Sequence, residues 1–296
     1  MSAQVVAMPD PGAQSRNAAS ARSATVVRPP NVDQSTTGGL SATLLLAALV
    51  VISLAPLATL LMTALLPVAR FPTIWTVEGD LDQVISVVTN RIVWRSMATS
   101  AMLALLTGVS ATALGYLAAR AIVRAGDRVR RIASAVAFLP VIAPPIALGV
   151  GVQVIALRAG LGGATSGVLL AHVVPATGYV TLFLLGVLRT YDHRMEEEAR
   201  SLGASPWQVF VRVTIPALTS PLVVAIALGA LVSWGQLALT LLVGGGAVRT
   251  LPVELLAFVR AGDDRLGAAA ALLLTVPPAI AFGFLRTGAR QTGAIT

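Results

Sequence analysis

From Leu40 to Val68 the chain runs without a single charged residue. About 20 apolar residues in a helix cross the hydrocarbon core of a bilayer. Lipid offers no water to an unpaired backbone group, so a run of this kind must be a helix whose hydrogen bonds are internal. Five further apolar segments follow, at Met97–Ala119, Ile132–Leu157, Ser166–Leu188, Pro221–Val243 and Leu266–Leu285. Composition agrees: 56% of residues are apolar, 11% are charged and the mean hydropathy is +0.82. A water-soluble domain of 296 residues has too little interior to hide that much apolar surface. The expected fold is all-α, a polytopic bundle of six membrane helices with ends placed to within about four residues. Pro144-Pro145 is expected to interrupt the third span, and Pro175 with Gly178 the fourth. A membrane helix tolerates such breaks where neighbours or an aqueous cavity satisfy the freed carbonyls.

Residues 1–39 mix Ala, Ser, Pro, Gln and Arg without period and end in Ser35-Thr36-Thr37-Gly38-Gly39. This composition cannot bury a core and reads as a disordered cytoplasmic tail ahead of a transmembrane domain over 40–296. It does not read as a signal peptide, because the apolar stretch after it is too long. All 21 basic residues are arginine, and the formal net charge is +8. With the N-terminus inside, two thirds of the arginines fall in cytoplasmic segments, most densely in the short loop Arg120–Arg131, as the positive-inside rule requires. An even number of spans returns the C-terminus to the same side. The basic excess therefore reads as topological, and no nucleic-acid partner is expected. Without lysine the chain cannot build a G-x-x-x-x-G-K-[ST] phosphate loop, so any ATP it depends on is hydrolysed by another subunit. With no cysteine and only His172 and His193, no metal centre is expected.

Between the fourth and fifth spans lies a polar stretch from Tyr191 to Pro216. Local chemistry predicts two short helices with a sharp joint. Glu196, Glu197 and Glu198 crowd the start of the first, where carboxylates favour the positive end of the dipole. Gly203 ends it in a left-handed conformation. Ser205 is a natural N-cap for the second, with Pro206 at its first position. Trp207, Phe210 and Val211 then form an apolar ridge at helical spacing. The ridge either packs on its own bundle or serves as an anchor for a partner, since apolar side chains ringed by charge are how interfaces are built.

This stretch resembles the EAA loop of binding-protein-dependent ABC importer permeases, whose pattern is E-A-A, three residues, G, nine residues, I, one residue, L-P. Glu197-Glu198-Ala199 stands for the triplet, Gly203 for the glycine and Val213-Thr214-Ile215-Pro216 for the end. Glu198 departs from the first alanine, and Val213 and Ile215 depart conservatively. Weaker similarity runs from about residue 90 to 285, over the six-helix domain of the methionine-permease-like type. The resemblance implies that residues 191–216 form coupling helices seated in a cleft of an ABC ATPase. Glu197, Ala199 and Gly203 would shape that contact, with Glu197 facing a basic group, and Glu198, Trp207, Phe210 and Pro216 would complete it. It further implies a second permease subunit (identical or different), an extracytoplasmic solute-binding protein, residence in a bacterial plasma membrane and transport by alternating access. ATP and Mg would be used by the ATPase partner. The chain itself would be no enzyme and bind no cofactor.

Within that superfamily the chain is most similar to spermidine/putrescine-type permeases, on Tyr191-Asp192-His193-Arg194-Met195, His172 and Thr250-Leu251-Pro252-Val253. That implies a polyamine-like solute. Such permeases carry acidic residues where this chain has Ser233-Trp234-Gly235-Gln236. No expected span holds a carboxylate, and passage of a polycation is eased by carboxylates or aromatic faces. A sugar or another neutral or anionic solute is equally open. Candidate pathway residues are Gln153, His172, Tyr179, Ser233, Trp234, Gln236 and Thr240, polar or aromatic groups expected at bilayer depth. Each also has a plain packing role open to it, Ser and Thr commonly bonding back to their own helix. Beyond the fifth span, Leu251 to Val259 is expected to form a short amphipathic helix at the membrane surface. Two rival classes are weaker. An intramembrane protease would need paired histidines, and a secondary transporter would need ion sites at mid-bilayer.

Overall fold

A computed structural model describes residues 37–65, 85 and 89–292, and the regular structure among them is helical. The chain divides into two units, residues 1–53 and 54–296, with the boundary inside helix α1 (Thr37–Leu65). In the first unit the described part of α1 is apolar and exposed all round, the pattern of a helix whose solvent is lipid. The helix begins at Thr37, so Thr37-Gly38-Gly39 belong to it and not to the tail expected there. Residues 1–36 of that tail, and 66–68 at the far end of the expected span, lie outside the described residues.

In the second unit, α2 (Arg91–Arg124), α5 (Thr165–Thr190) and α8 (Ile215–Trp234) form the core. Asn90 starts α2 by accepting hydrogen bonds from the Ile92 and Val93 amides at 2.9 and 3.2 Å. Lipid supplies no hydrophobic drive between helices, so close backbone approach over small residues takes its place. A Cβ on Gly108 would lie 2.5 Å from the Ile226 carbonyl, and one on Gly115 would lie 2.7 Å from Val180 Cγ1. Ala111, Ala119, Ala176 and Ala225 are buried along the same seams, with Val180, Leu184 and Leu218 filling between them. Leu60 and Ala64, from the last turns of α1, pack on Ala268, Ala269 and Leu272 of α11 (Asp264–Thr292).

Three expectations about the spans need correction. The third is broken as predicted, but into separate helices α3 (Asp127–Ile142) and α4 (Pro145–Arg158), bent 103° apart. Five helices are thus long and apolar enough to cross a membrane, or six when this bent pair counts as one span. The fourth, α5, runs through Pro175 and Gly178 uninterrupted. Both residues are buried, and the site of Gly178 is so tight against α3 that a Cβ would lie 2.9 Å from the Ala137 carbonyl. Packing on both flanks outweighs one lost backbone donor. The fifth does not run from Pro221 to Val243. Its apolar rod extends from Pro206 to Trp234, breaks at Gly235–Leu237, and resumes as the short α9 (Ala238–Gly244). Hydropathy is blind to this break because the residues on both sides are equally apolar. The short helix expected after the fifth span is present as α10 (Leu251–Arg260).

Candidate functional site

The polar stretch after α5 folds into an elbow. Its first arm is α6 (Arg194–Ser201), opened by Asp192, whose Oδ1 accepts from the Arg194 amide at 3.0 Å. The arm closes with the Ala204 amide donating to the Ala199 carbonyl at 3.0 Å and the Gly203 amide to Arg200 at 2.9 Å. That wrap needs a left-handed residue, and Gly203 takes it at φ +87°. The second arm starts with a capping box: the Gln208 amide donates to Ser205 Oγ at 3.3 Å, and the Ser205 amide donates to Gln208 Oε1 at 2.8 Å. Pro206 follows at the first position of α7 (Pro206–Val209). Joint, cap and proline are where the sequence puts them. The second arm, however, is no separate short helix. It passes through one π-helical turn, Phe210–Thr214, and continues directly into α8.

Of the three glutamates in α6, Glu197 and Glu198 are exposed, Ala199 is half-buried, and Glu196 is 3% exposed. Glu196 carries the elbow's electrostatics. Its Oε2 accepts from Arg120 Nη2 at 2.8 Å, and its Oε1 accepts from Thr214 Oγ1 at 2.9 Å. Arg200 and Arg124 stand 3.7 and 4.0 Å from the same Oε2. Arg120 also donates to Tyr116 Oη from the preceding turn of α2. Burial pushes the neighbouring Tyr191 phenol up from its ordinary pKa, and the Glu196 carboxylate adds to the shift. Sequence reasoning missed Glu196. The available signal was that one of three consecutive glutamates on a helix lying against a bundle must face inward.

The ridge residues divide as well. Trp207 is 70% exposed, and Phe210, half-buried, sits between Trp207 (ring centroids 5.8 Å apart) and Tyr116 (6.0 Å). Val211 is exposed, as is Pro216 in the first turn of α8. The knob therefore presents Glu197, Glu198, Leu202 and Trp207 outward over a base tied to α2.

Of the expected pathway residues, three come together. The His172 ring on α5 is held between Ser233 Oγ, 2.8 Å from Nδ1, and Thr240 Oγ1, 3.0 Å from Nε2. Thr240 Oγ1 also donates to the Gln236 carbonyl at 2.6 Å, so the cluster spans the break between α8 and α9. All three side chains are buried. Trp234 is buried too and donates its indole N–H to the Leu274 carbonyl at 3.0 Å, on α11. Gln153 and Gln236 are half-buried and Tyr179 is exposed. Among the described hydrogen bonds, none joins the side chains of these three to the histidine cluster, which meets Gln236 only through its backbone carbonyl.

At the far end of α2 a cavity of about 340 Å³ is lined by Arg95, Ser96, Thr165, Arg249 and Glu254 among others. Glu254 is buried and accepts from Arg249 at 3.1 Å. At 1.5 Å per residue, Arg95 and Arg120 lie about 37 Å apart along α2, so cavity and elbow occupy opposite ends of the bundle. Among the described residues, no three or more acidic or histidine side chains are grouped to hold a metal ion.

A family model described as the inner membrane component of binding-protein-dependent transport systems matches residues 111–287, which include the elbow and the histidine cluster. The chain belongs to this family. It is a permease of a binding-protein-dependent ABC importer and a multi-pass protein of the bacterial inner membrane. Among its relatives, the permease protein PhnV of Salmonella paratyphi A, named for a 2-aminoethylphosphonate transport system, is 30% identical over 183 residues, 61% of this chain and 69% of that protein. PotI of Escherichia coli K12, named for putrescine transport, is 31% identical over 189 residues, 60% of this chain and 66% of PotI. ModB of Mycobacterium tuberculosis, named for molybdenum transport, is 31% identical over 214 residues, 66% of this chain and 80% of ModB. In fold, the permease is similar to a chain from a crystal structure of a bacterial ABC transporter that imports the acidic polysaccharide alginate. That likeness has a TM-score of 0.68 at 17% identity and covers 88% of this chain and 99% of the other.

Proposed function

We propose that this permease carries a small solute inward by alternating access, driven by a separate ATPase that closes on the elbow. The carrying observation is the exposed knob of Glu197, Glu198 and Trp207 on a base pinned by Glu196. A charged, aromatic projection held rigidly has the make-up of an interface anchor. Glu197, Ala199 and Gly203 shape the contact, with Glu198, Trp207, Phe210 and Pro216 around them. ATP and Mg belong to the partner. The elbow and the segment ahead of α1 face the cytoplasm, the permease domain begins with α1 at Thr37, and the cavity beside Arg249 opens to the outer side, where a solute-binding protein delivers cargo. A crystal structure of a bacterial alginate ABC transporter, similar in fold, holds a periplasmic protein bound to an alginate pentasaccharide, which supports that partner. A second permease completes the pathway.

Photo-crosslinking from position 207 of the full-length permease in its native membrane tests the coupling. The expected adduct is an ABC ATPase. Adducts to lipid or to the permease alone would refute it.

For the solute, we favour a neutral or anionic molecule. The membrane-crossing helices hold no carboxylate beyond a first residue, and the polar groups at depth are neutral hydrogen-bonders: Gln153, His172, Ser233, Gln236 and Thr240. Tyr179 and Trp234 supply the aromatic faces. The similarity to PotI favours a second reading, a polyamine. Mass spectrometry of the small molecule retained by the co-purified binding protein separates the two, and a polyamine there would overturn our preference.

A further inference from the structure

We propose that Glu196 is a positioning residue that fastens the elbow to the transmembrane bundle, so that α6, the inner end of α2 and the π turn move as one body when the ATPase grips the elbow. The proposal rests on the coupling reading above and adds the route by which a push at the knob reaches the membrane helices.

The geometry carries it. Glu196 sits on α6, yet each of its oxygens is committed to a different element: Oε2 to Arg120 of α2 and Oε1 to Thr214 of the π turn. Its side chain is 4% exposed and that of Arg120 is 19% exposed, so water does not screen the pair as it would a surface ion pair. A buried carboxylate with two charge-assisted or hydroxyl donors has one well-defined position, because leaving either bond exposes an unpaired buried group. Two more guanidinium groups, of Arg124 and Arg200, lie within 4.0 Å, so the carboxylate stays matched through small movements. Thr214 is itself placed by the π turn. The Ile215 amide reaches back to the Phe210 carbonyl, and Thr214 Oγ1 also lies 3.5 Å from the Val209 carbonyl. A second line runs in parallel from Trp207 through Phe210 to Tyr116, whose hydroxyl accepts from Arg120. Both arms of the elbow therefore end on the same two turns of α2, Tyr116 and Arg120. A hinge at Gly203 alone would let the arms flex independently of the bundle. These two lines remove that slack.

The absence of native cysteine permits a direct test. Spin labels at Leu202→Cys on the elbow and Leu117→Cys on α2, both exposed positions, report the separation of the two elements in the full-length permease in lipid nanodiscs. The expected result is one narrow distance distribution whose mean stays the same after assembly with the ATPase and trapping with MgATP and vanadate. Glu196→Ala should broaden that distribution and speed amide exchange across residues 194–202 by about tenfold or more. Glu196→Gln, which keeps an acceptor for Thr214 but loses the charge, should fall between. A mean that shifts by several ångströms on trapping, or a Glu196→Ala protein with unchanged width and exchange, overturns the proposal. Should Glu196→Ala fail to insert, Thr214→Val cuts one tie and is read against the same criteria. The permease-alone measurements report the tether without any ATPase. A tether present there, with no ATPase complex formed on the elbow, would sink the coupling premise and the transmission role with it, and would be told apart from failure of the tether itself.

Discussion

Three adjacent glutamates with the same side chain meet different surroundings in α6: Glu196 is buried among arginines, while Glu197 and Glu198 face outward. Residue type announced a charged helix, but only the three-dimensional position of Arg120, 76 positions earlier, decides which carboxylate is structural. Gly203 was legible because its role is local. At φ +87° an L side chain is strained by about 1–2 kcal/mol, although open space surrounds the site. Gly203→Val should therefore insert normally but lose the turn, and ATPase recovery on affinity purification should fall several-fold. His172 was read as a candidate for solute contact, and the structure surrounds it with Ser233 and Thr240. Replacing it by alanine strands a buried Ser233 hydroxyl and opens a void, a loss of about 1–3 kcal/mol. The expected signature is a lower midpoint of thermal unfolding in detergent. Gln236→Ala, at a half-buried side chain, should leave that midpoint in place and change solute uptake if the amide lines the pathway.

At the scale of elements, the strongest signals were the ones with physical periodicity or local closure. The spans of α2 and α5, the cap at Ser205 and the break before Pro145 were all readable. The proline rule misled at Pro175 because tertiary packing decides whether a lost donor matters, and the sequence does not display packing. Hydropathy likewise could not find the break after Trp234, where no polar residue larger than Gln236 marks it. The seams between helices make a sharper prediction. Gly108→Val would place new atoms against the Ile226 carbonyl, and its first carbon alone lies 2.5 Å away. Overpacking of this kind costs about 1–3 kcal/mol, so α2 and α8 should separate and the folded yield should drop. Gly126→Val, at a position where an added Cβ meets nothing within 4 Å, is the matched control. Ser205→Ala removes one half of the capping box, worth about 1 kcal/mol. Hydrogen exchange at the Gln208 amide, its lost partner, should speed by roughly fivefold with the membrane spans unaffected.

For the whole molecule, arginine distribution predicts sidedness, and the elbow and the cavity beside Arg249 provide the positions to check it. A single cysteine at Leu202 should react with a membrane-impermeant maleimide only from the cytoplasmic face, and one at Ala247 only from outside. Reversed labelling would place the elbow beyond the reach of any ATPase. Which solute crosses was never legible: relatives of similar identity are named for a phosphonate, a diamine and a metal.

The π turn at Phe210–Thr214 has a geometric result of its own. Each residue of an α-helix advances the side-chain direction by about 100°, and the wider ring accommodates one residue more than the regular ladder. Trp207 is therefore aimed roughly a quarter-turn away from where an unbroken rod from Pro206 to Trp234 would point it. Deleting one residue between Val211 and Thr214 would straighten the rod, swing the Trp207–Phe210 pair together off Tyr116, and leave a properly inserted protein with its exposed indole on another face.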